Sequence, residues 1–229
     1  MYHVYLVYYS IMKKLFVLSL FLVNLCYCLA QSVNGHDYVD MGLIVKWATC
    51  NLGANAPNDY GGYYYYSETD NKTRRKESDF KLYVGKKKWK NIPVISGTEY
   101  DVVTANWGAP WRLPTENEWL ELTLYCQWEW MSINGIMGYK IISKRNGNSI
   151  FLPASGNYNS VLNEVLGKGT GAIYLTGETW YYRDNHRKKE FIKEICFKTW
   201  NFSSTTRGGD GMMGLSPYPG KYPVRAVCE

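Results

Sequence analysis

The sequence predicts an α+β domain dominated by antiparallel sheet, and three patterns predict it. One well-capped helix begins after Thr115. Downstream of that helix, the dipeptides Asn134-Gly135 and Asn146-Gly147 separate segments of strand-forming residues. Short runs of β-branched and aromatic residues, bounded by Gly, Pro, Asn and Asp, fill most of the remaining chain.

Residues 1–30 predict a signal peptide. Lys13-Lys14 is a positive region, residues 15–25 form an apolar run shorter than the roughly 20 residues of a membrane-spanning helix, and Cys28-Leu29-Ala30 suits signal-peptidase cleavage. Met12 is the predicted start, because residues 1–11 add nothing that a signal needs. We therefore expect an exported protein, extracellular, on the cell surface or in the periplasm, with no stable membrane span after cleavage. An uncleaved N-terminal anchor is the alternative.

The N-terminal half of the mature chain predicts short strands and long loops. Residues 31–229 suffice for one well-buried core, so we expect a single domain there. Residues 38–48 predict two short strands with Gly42 at the turn. The four consecutive tyrosines at 63–66 predict a strand with one buried and one exposed face. Residues 68–91 are the most polar stretch, and this composition predicts a long surface segment.

The main helix is predicted near residues 115–126. Thr115 follows a proline and can accept a hydrogen bond at the free helix end, and Glu118 stands three residues later to complete a capping box. Trp119, Leu122 and Tyr125 contribute to an apolar face over about three turns. Loss of the Thr115 cap is expected to cost about 1 kcal/mol.

The chain after this helix predicts a meander of antiparallel strands. Residues 203–214 are rich in Ser, Thr and Gly and predict a loop. The predicted strands are 128–133, 138–143, 149–152, 173–176, 180–182, 191–197 and 222–228.

Four cysteines remain after the leader, namely Cys50, Cys126, Cys196 and Cys228. An oxidising compartment permits disulfides, but four cysteines allow three pairings and the spacing does not choose among them. None stands in a Cys-x-x-Cys or His-rich setting, so we expect no zinc site.

Residues 111–119, Trp-Arg-Leu-Pro-Thr-Glu-Asn-Glu-Trp, resemble the start of the helix in formylglycine-generating, sulfatase-modifying-factor-like domains, which have a C-type-lectin-like fold. A narrower resemblance is to the Fibrobacter succinogenes major paralogous domain of exported bacterial proteins. It rests on that motif and on further blocks in matching order, at residues 38–43, 45–53, 105–108, 147–154 and 224–228.

This resemblance implies a C-type-lectin-like fold in which the N-terminal and C-terminal strands are adjacent. It also implies a disulfide between Cys50 and Cys228, with Cys126 and Cys196 either paired or free. The chain departs from the family at residues 175–180, where a Tyr-Trp-Ser-Ser-Thr block is common, and at residues 217–223, which are inserted before the last strand.

Charge and motifs argue against several function classes. The formal net charge of +6 falls to +4 without Lys13 and Lys14, a smaller surplus than nucleic-acid binders usually carry, so we expect no nucleic-acid partner. A Gly-x-Ser-x-Gly elbow is absent, and His36 and His186 are the only imidazoles after the leader. The triplets typical of calcium-dependent sugar-binding lectins are absent too. We therefore expect no catalytic residue, no metal and no cofactor.

These observations lead us to expect a non-enzymatic binding or adhesion module of the bacterial surface with a glycan or protein ligand. A structural subunit of a surface assembly is the alternative, and an oxidase of the formylglycine-generating type is a remote one. Aromatic residues make up 16% of the chain, and tyrosine and tryptophan suit recognition. The candidate ligand contacts lie mostly in the divergent region and are Trp180, Tyr181, Tyr182, Arg183, Asn185 and Trp200.

Overall fold

The computed structural model describes residues 31–74, 76–86, 88–180, 191–192, 196–205, 212–217 and 220–229. The chain divides into two units, Met1–Ser32 and Val33–Glu229, and nearly all described residues belong to the second. That unit is an α+β structure in which antiparallel sheets predominate and the described helices are few and short. No helix among the described residues is long and apolar enough to cross a bilayer.

Two α-helices are described, α1 (Val102–Trp107) and α2 (Glu116–Tyr125), with a 3-10 turn at Glu77–Asp79. The described strands, in chain order, are β1 (Gln31–Val33), β2 (His36–Val39), β3 (Lys46–Asn51), β4 (Tyr64–Tyr65), β5 (Tyr83–Gly85), β6 (Lys88–Lys90), β7 (Cys126–Ile133), β8 (Ile136–Ser143), β9 (Ser149–Pro153), β10 (Asn157–Asn159), β11 (Glu164–Leu166), β12 (Gly171–Trp180), β13 (Phe191–Ile192), β14 (Cys196–Ser203), β15 (Met212–Pro217), β16 (Gly220–Tyr222) and β17 (Arg225–Cys228).

The last strand lies beside an early one, as expected. One sheet has the order β1-β2-β3-β17, and β17 runs antiparallel to β3. Arg112 also bridges Val227, which connects the start of the helical motif to the last strand. The adjacency that the resemblance implied is therefore present, but the register of the two strands was not part of that expectation.

That register makes the expected disulfide between Cys50 and Cys228 wrong. Cys228 lies opposite Lys46. Cys50 stands four residues further along β3, which is about 13 Å away at the usual rise of a strand. Both side chains are free thiols, as is Cys126. Burial raises the pKa of the Cys126 thiol to about 11, so this buried cysteine stays protonated.

The meander after the main helix is confirmed, but only one of its two Asn-Gly turns has the expected form. Strands β7, β8 and β9 are consecutive antiparallel neighbours. Asn134 and Gly135 both have positive φ, 50° and 80°, as a type I′ hairpin turn requires. In the second turn only Gly147 does, with φ 77°. There the Asn146 and Asn148 side chains donate to the Asp40 carbonyl, which holds a longer loop against the N-terminal segment.

The helix α2 begins as the sequence predicts. The Thr115 hydroxyl accepts from the Glu118 N–H at 3.4 Å, and the Glu118 carboxylate accepts from the Thr115 N–H at 2.8 Å. The same carboxylate receives both terminal nitrogens of Arg112, at 2.7 and 3.0 Å. The Arg-Leu-Pro-Thr motif therefore has a structural role. The buried Glu118 carboxylate caps the helix and also binds the Arg112 guanidinium.

The polar stretch 68–91 contributes to the core, contrary to expectation. Phe80, Leu82 and Trp89 are buried and pack with the first hydrophobic cluster. The tyrosine run differs in a similar way, because Tyr64, Tyr65 and Tyr66 are all buried instead of alternating. Both differences have one cause, since these side chains all belong to the same hydrophobic cluster and are buried against one another and its other members.

A second cluster lies under α2 and is rich in tryptophan. The Trp119 ring stacks on Trp200 with centroids 5.7 Å apart and meets the edge of Trp47 at 4.8 Å. The expected strand 173–176 and Trp180, the first residue of the expected strand 180–182, belong to the single strand β12, which has an irregularity between Leu175 and Thr179. Residues 181–182 lie outside the described residues. The inserted residues 217–223 include β16, which pairs with both β4 and β10.

Candidate functional site

The structure places one expected ligand contact in the core. Trp200 is 1% exposed and stacks on Trp119, so it has no surface to offer a ligand, and its assignment to a binding site is wrong. Trp180 is the last residue of β12. Tyr181, Tyr182, Arg183 and Asn185 lie outside the described residues, and their role stays a prediction.

A different group of aromatic and basic side chains converges on the four-stranded sheet β11-β10-β16-β4 and the segments beside it. We call this group the tyrosine face. Its three tyrosines are half-buried, and a lysine ammonium lies over the ring of two of them. The members are Tyr60, Tyr63, Tyr158, Lys168 and Lys221.

The two tyrosines before β4 are fixed by residue 155. The Tyr63 hydroxyl donates to the Ser155 carbonyl at 2.5 Å, and the Ser155 hydroxyl donates to the Tyr60 carbonyl at 3.4 Å. Between them Gly61 has φ 72°, and a Cβ there would lie 2.7 Å from the Leu52 carbonyl oxygen. Only glycine fits this turn without a shift of the backbone, so Gly61 sets how the two rings are presented.

The Tyr63 phenol is a neutral donor. Burial, with Tyr174 and Tyr60 nearby, raises the pKa of Tyr63 to about 12. The hydroxyl therefore keeps its proton throughout the physiological range and holds its bond to the Ser155 carbonyl.

Tyr158 occupies the middle of β10 and joins the remaining parts of the face. Its ring centroid lies 6.5 Å from that of Tyr63. The Lys221 ammonium lies 5.2 Å from the Tyr158 ring and 5.0 Å from that of Tyr65, and it donates to the Asn71 carbonyl at 2.8 Å. Burial and the nearby Arg74 guanidinium lower the pKa of Lys221.

The second lysine is exposed. Lys168 follows β11, and its ammonium lies 4.3 Å from the centroid of the Tyr60 ring. A cation at this distance from an aromatic face is attracted by about 0.5–1 kcal/mol where water has access. Since that attraction is weak, the exposed Lys168 ammonium remains available to an incoming acidic group.

A buried polar network lies beneath these rings. Arg225 is 0% exposed, and its guanidinium donates to Asn51 Oδ1 and to the carbonyls of Ala48, Thr49 and Phe151. The Asn51 amide in turn donates to the Tyr60 carbonyl at 2.9 Å. Arg225 thereby connects β17, β3 and β9 with the segment that carries the tyrosine face.

The hairpin β10-β11 adds an apolar tip beside the face. The Asn159 carboxamide oxygen accepts from the N–H groups of Val161 and Leu162, both at 2.9 Å, which shapes the turn. Val161 is 88% exposed. The tip therefore presents aliphatic surface on a turn whose backbone is already ordered.

The arrangement suits recognition. Half-buried tyrosines offer rigid aromatic surface with little loss of side-chain entropy on binding, and a neighbouring ammonium can pair with an acidic group. Among the residues that the structure describes, no cluster of three or more His, Cys, Asp or Glu side chains could hold a metal ion.

Comparisons with known proteins identify no relative. No protein-family model matches the chain, and no curated protein or solved structure matches it either. The tyrosine face was missed in the sequence because its members are spread from Tyr60 to Lys221. Two features of the sequence could have indicated it: the tyrosine run, and residues 217–223, which supply β16.

Proposed function

We propose that the chain is an exported, non-enzymatic binding module of C-type-lectin-like architecture, a member of the Fibrobacter succinogenes major paralogous domain family, whose tyrosine face contacts a glycan or a protein ligand on a surface. The leader supports export. The capped helix α2 and the adjacency of β3 and β17 support the proposed fold.

The observation that carries the proposal is the continuity of the tyrosine face. Tyr60 and Tyr63 share Ser155 as a partner, Tyr63 contacts Tyr158, and Tyr158 contacts Lys221. One connected surface therefore offers three half-buried phenol rings and one exposed cation, that of Lys168. The second cation, Lys221, is buried beside the rings. Such rings can stack on the apolar face of a sugar or anchor a peptide, and Lys168 favours ligands that carry acidic groups.

A second candidate surface remains in the proposal, made of Trp180, Tyr181, Tyr182, Arg183 and Asn185. Trp180 ends β12, and the other four lie outside the described residues. Because none of them belongs to the tyrosine face, each set can be substituted without changing the other.

The test is a glycan array, together with pull-down of surface proteins, using the mature chain. Lys168→Glu reverses the charge over Tyr60, and we expect it to weaken binding at least about tenfold. Lys46→Glu is the matched control, because the Lys46 ammonium also lies over a tyrosine ring, that of Tyr38, at 5.5 Å, but on the terminal sheet.

Equal binding by wild type, Lys168→Glu and Lys46→Glu would remove the tyrosine face from the proposal. Loss of binding on substitution of Tyr181 and Tyr182 alone would instead assign the ligand to the second surface. Trp200 is left unchanged in every variant, because its replacement would open the core.

A structural subunit of a surface assembly is the second candidate function. The observation that favours it is the exposed apolar surface of α2, where Leu124 is 65% exposed. A structural subunit associates with itself or with neighbours through such a surface.

A further inference from the structure

Helix α2 is apolar on both sides. Trp119 and Leu122 face the core and are fully buried, whereas Leu120 and Leu124, one turn apart, are exposed on the opposite side. A surface helix usually has one apolar stripe and a polar outer face, and a helix that is apolar all round is covered on both sides. The outer face of α2 thus indicates a further contact in the working state of the protein.

The exposed leucines belong to a larger patch. The Ile44 N–H donates to the Glu121 carboxylate at 3.2 Å, which places Ile44, 79% exposed, beside the helix. The Arg145 guanidinium lies 4.2 Å from the centroid of the Tyr125 ring. We call this surface the α2 patch. Its members are Ile44, Leu120, Glu121, Leu124, Tyr125 and Arg145.

The charges of the α2 patch match those of a second copy. Glu121 carries a negative charge near the middle of the helix, and Arg145 a positive charge over its last residue. When two such helices pack antiparallel about a two-fold axis between Leu120 and Leu124, each Glu121 comes near the Arg145 of the other copy. Both helix dipoles then lie in the favourable antiparallel sense. A two-fold contact needs this kind of self-complementary surface.

We propose that the mature chain forms a symmetric dimer through the α2 patch, with the leucines of two α2 helices in contact and Glu121 of each copy paired with Arg145 of the other. The α2 patch and the tyrosine face share no residue, so the dimer and the proposed ligand binding can be tested with separate variants.

Sedimentation velocity over a range of concentrations tests the proposal. Wild type is expected to shift from monomer to twice the monomer mass as concentration rises. Leu124→Asp places a carboxylate in the centre of the apolar contact and is expected to raise the dimer dissociation constant at least about tenfold. Val161→Asp is the matched control, since Val161 is also an exposed aliphatic residue but lies on the β10-β11 tip, and it is expected to leave association unchanged.

A charge exchange tests the pairing itself. Glu121→Arg and Arg145→Glu each create two like-charge contacts in a homodimer, so each variant alone is expected to stay monomeric. An equimolar mixture restores both opposite-charge contacts and is expected to dimerise. Circular dichroism of each variant shows that the fold is retained. Monomeric wild type at all concentrations, or a mixture that stays monomeric while wild type dimerises, would overturn the proposal.

Discussion

Replacement of Arg225 by methionine is expected to destabilise the protein strongly. This guanidinium is fully buried and makes four hydrogen bonds of 2.7–2.9 Å, to one side-chain amide and three backbone carbonyls. The acceptors belong to β3 and β9, so a single side chain from β17 joins three strands. No described carboxylate forms an ion pair with it, and burial lowers the pKa of Arg225.

The magnitude follows from two opposing contributions. Each hydrogen bond to a charged group contributes about 1.5–3 kcal/mol, whereas removing the cation from water costs several kcal/mol. Methionine relieves the second contribution but leaves four buried acceptors without their donor. We expect a net loss of about 3–5 kcal/mol in the free energy of unfolding, as for other buried ionic contacts that lose one partner. This is a large share of the about 5–15 kcal/mol typical of a domain.

Urea titration followed by tryptophan fluorescence measures this loss. Arg225→Lys keeps the charge but cannot reach acceptors on three sides, so its midpoint is expected between those of wild type and Arg225→Met. Lys72→Met replaces an exposed cation outside both the buried network and the α2 patch, so it is the surface control and is expected to stay within about 0.5 kcal/mol of wild type. An Arg225→Met protein within about 1 kcal/mol of wild type would show that the buried network does not hold these strands together.

Three further outcomes are expected. The His36 ring stacks on Trp107 at 4.0 Å, and burial lowers its pKa below the ordinary value of 6.5, so the unfolded chain takes up the proton more readily. The free energy of unfolding should therefore fall as pH drops below about 6.5, and it should fall less in His36→Gln. Urea midpoints of both proteins at two pH values measure this difference. Thr115→Ala should lower the free energy of unfolding by about 1 kcal/mol, with Thr115→Ser close to wild type; equal stability of both would contradict the cap. Cys50→Ser should lower the free energy of unfolding by far less than the about 4 kcal/mol expected for loss of a disulfide that closes so long a loop. The intact mass measured without reductant should show no bond between Cys50 and Cys228.

Local patterns in the sequence predicted the elements whose partners are close in the chain. The capping box of α2 joins residues three apart, and the turn at Asn134-Gly135 joins adjacent strands, so both patterns are complete within a short window. The adjacency of β3 and β17 required the family resemblance instead. Even then, the register that separates Cys50 from Cys228 was not visible.

Contacts distant in the chain account for what the sequence did not show. Helix α1 was not expected, because its start depends on buried Asp101, which caps it and also accepts the N–H groups of Gly97 and Leu113. The burial of Arg225 depends on acceptors more than 70 residues away. Neither residue type is usually buried, so composition alone predicts the opposite.

The most direct test of the binding claim is the dissociation constant of the strongest array ligand, measured by isothermal titration calorimetry for wild type and for the double variant Tyr60→Ala, Tyr158→Ala. Loss of two ordered aromatic contacts should weaken binding by at least about a hundredfold, while the urea midpoint shows that the fold remains. Equal dissociation constants for the two proteins would contradict the assignment of the ligand to the tyrosine face.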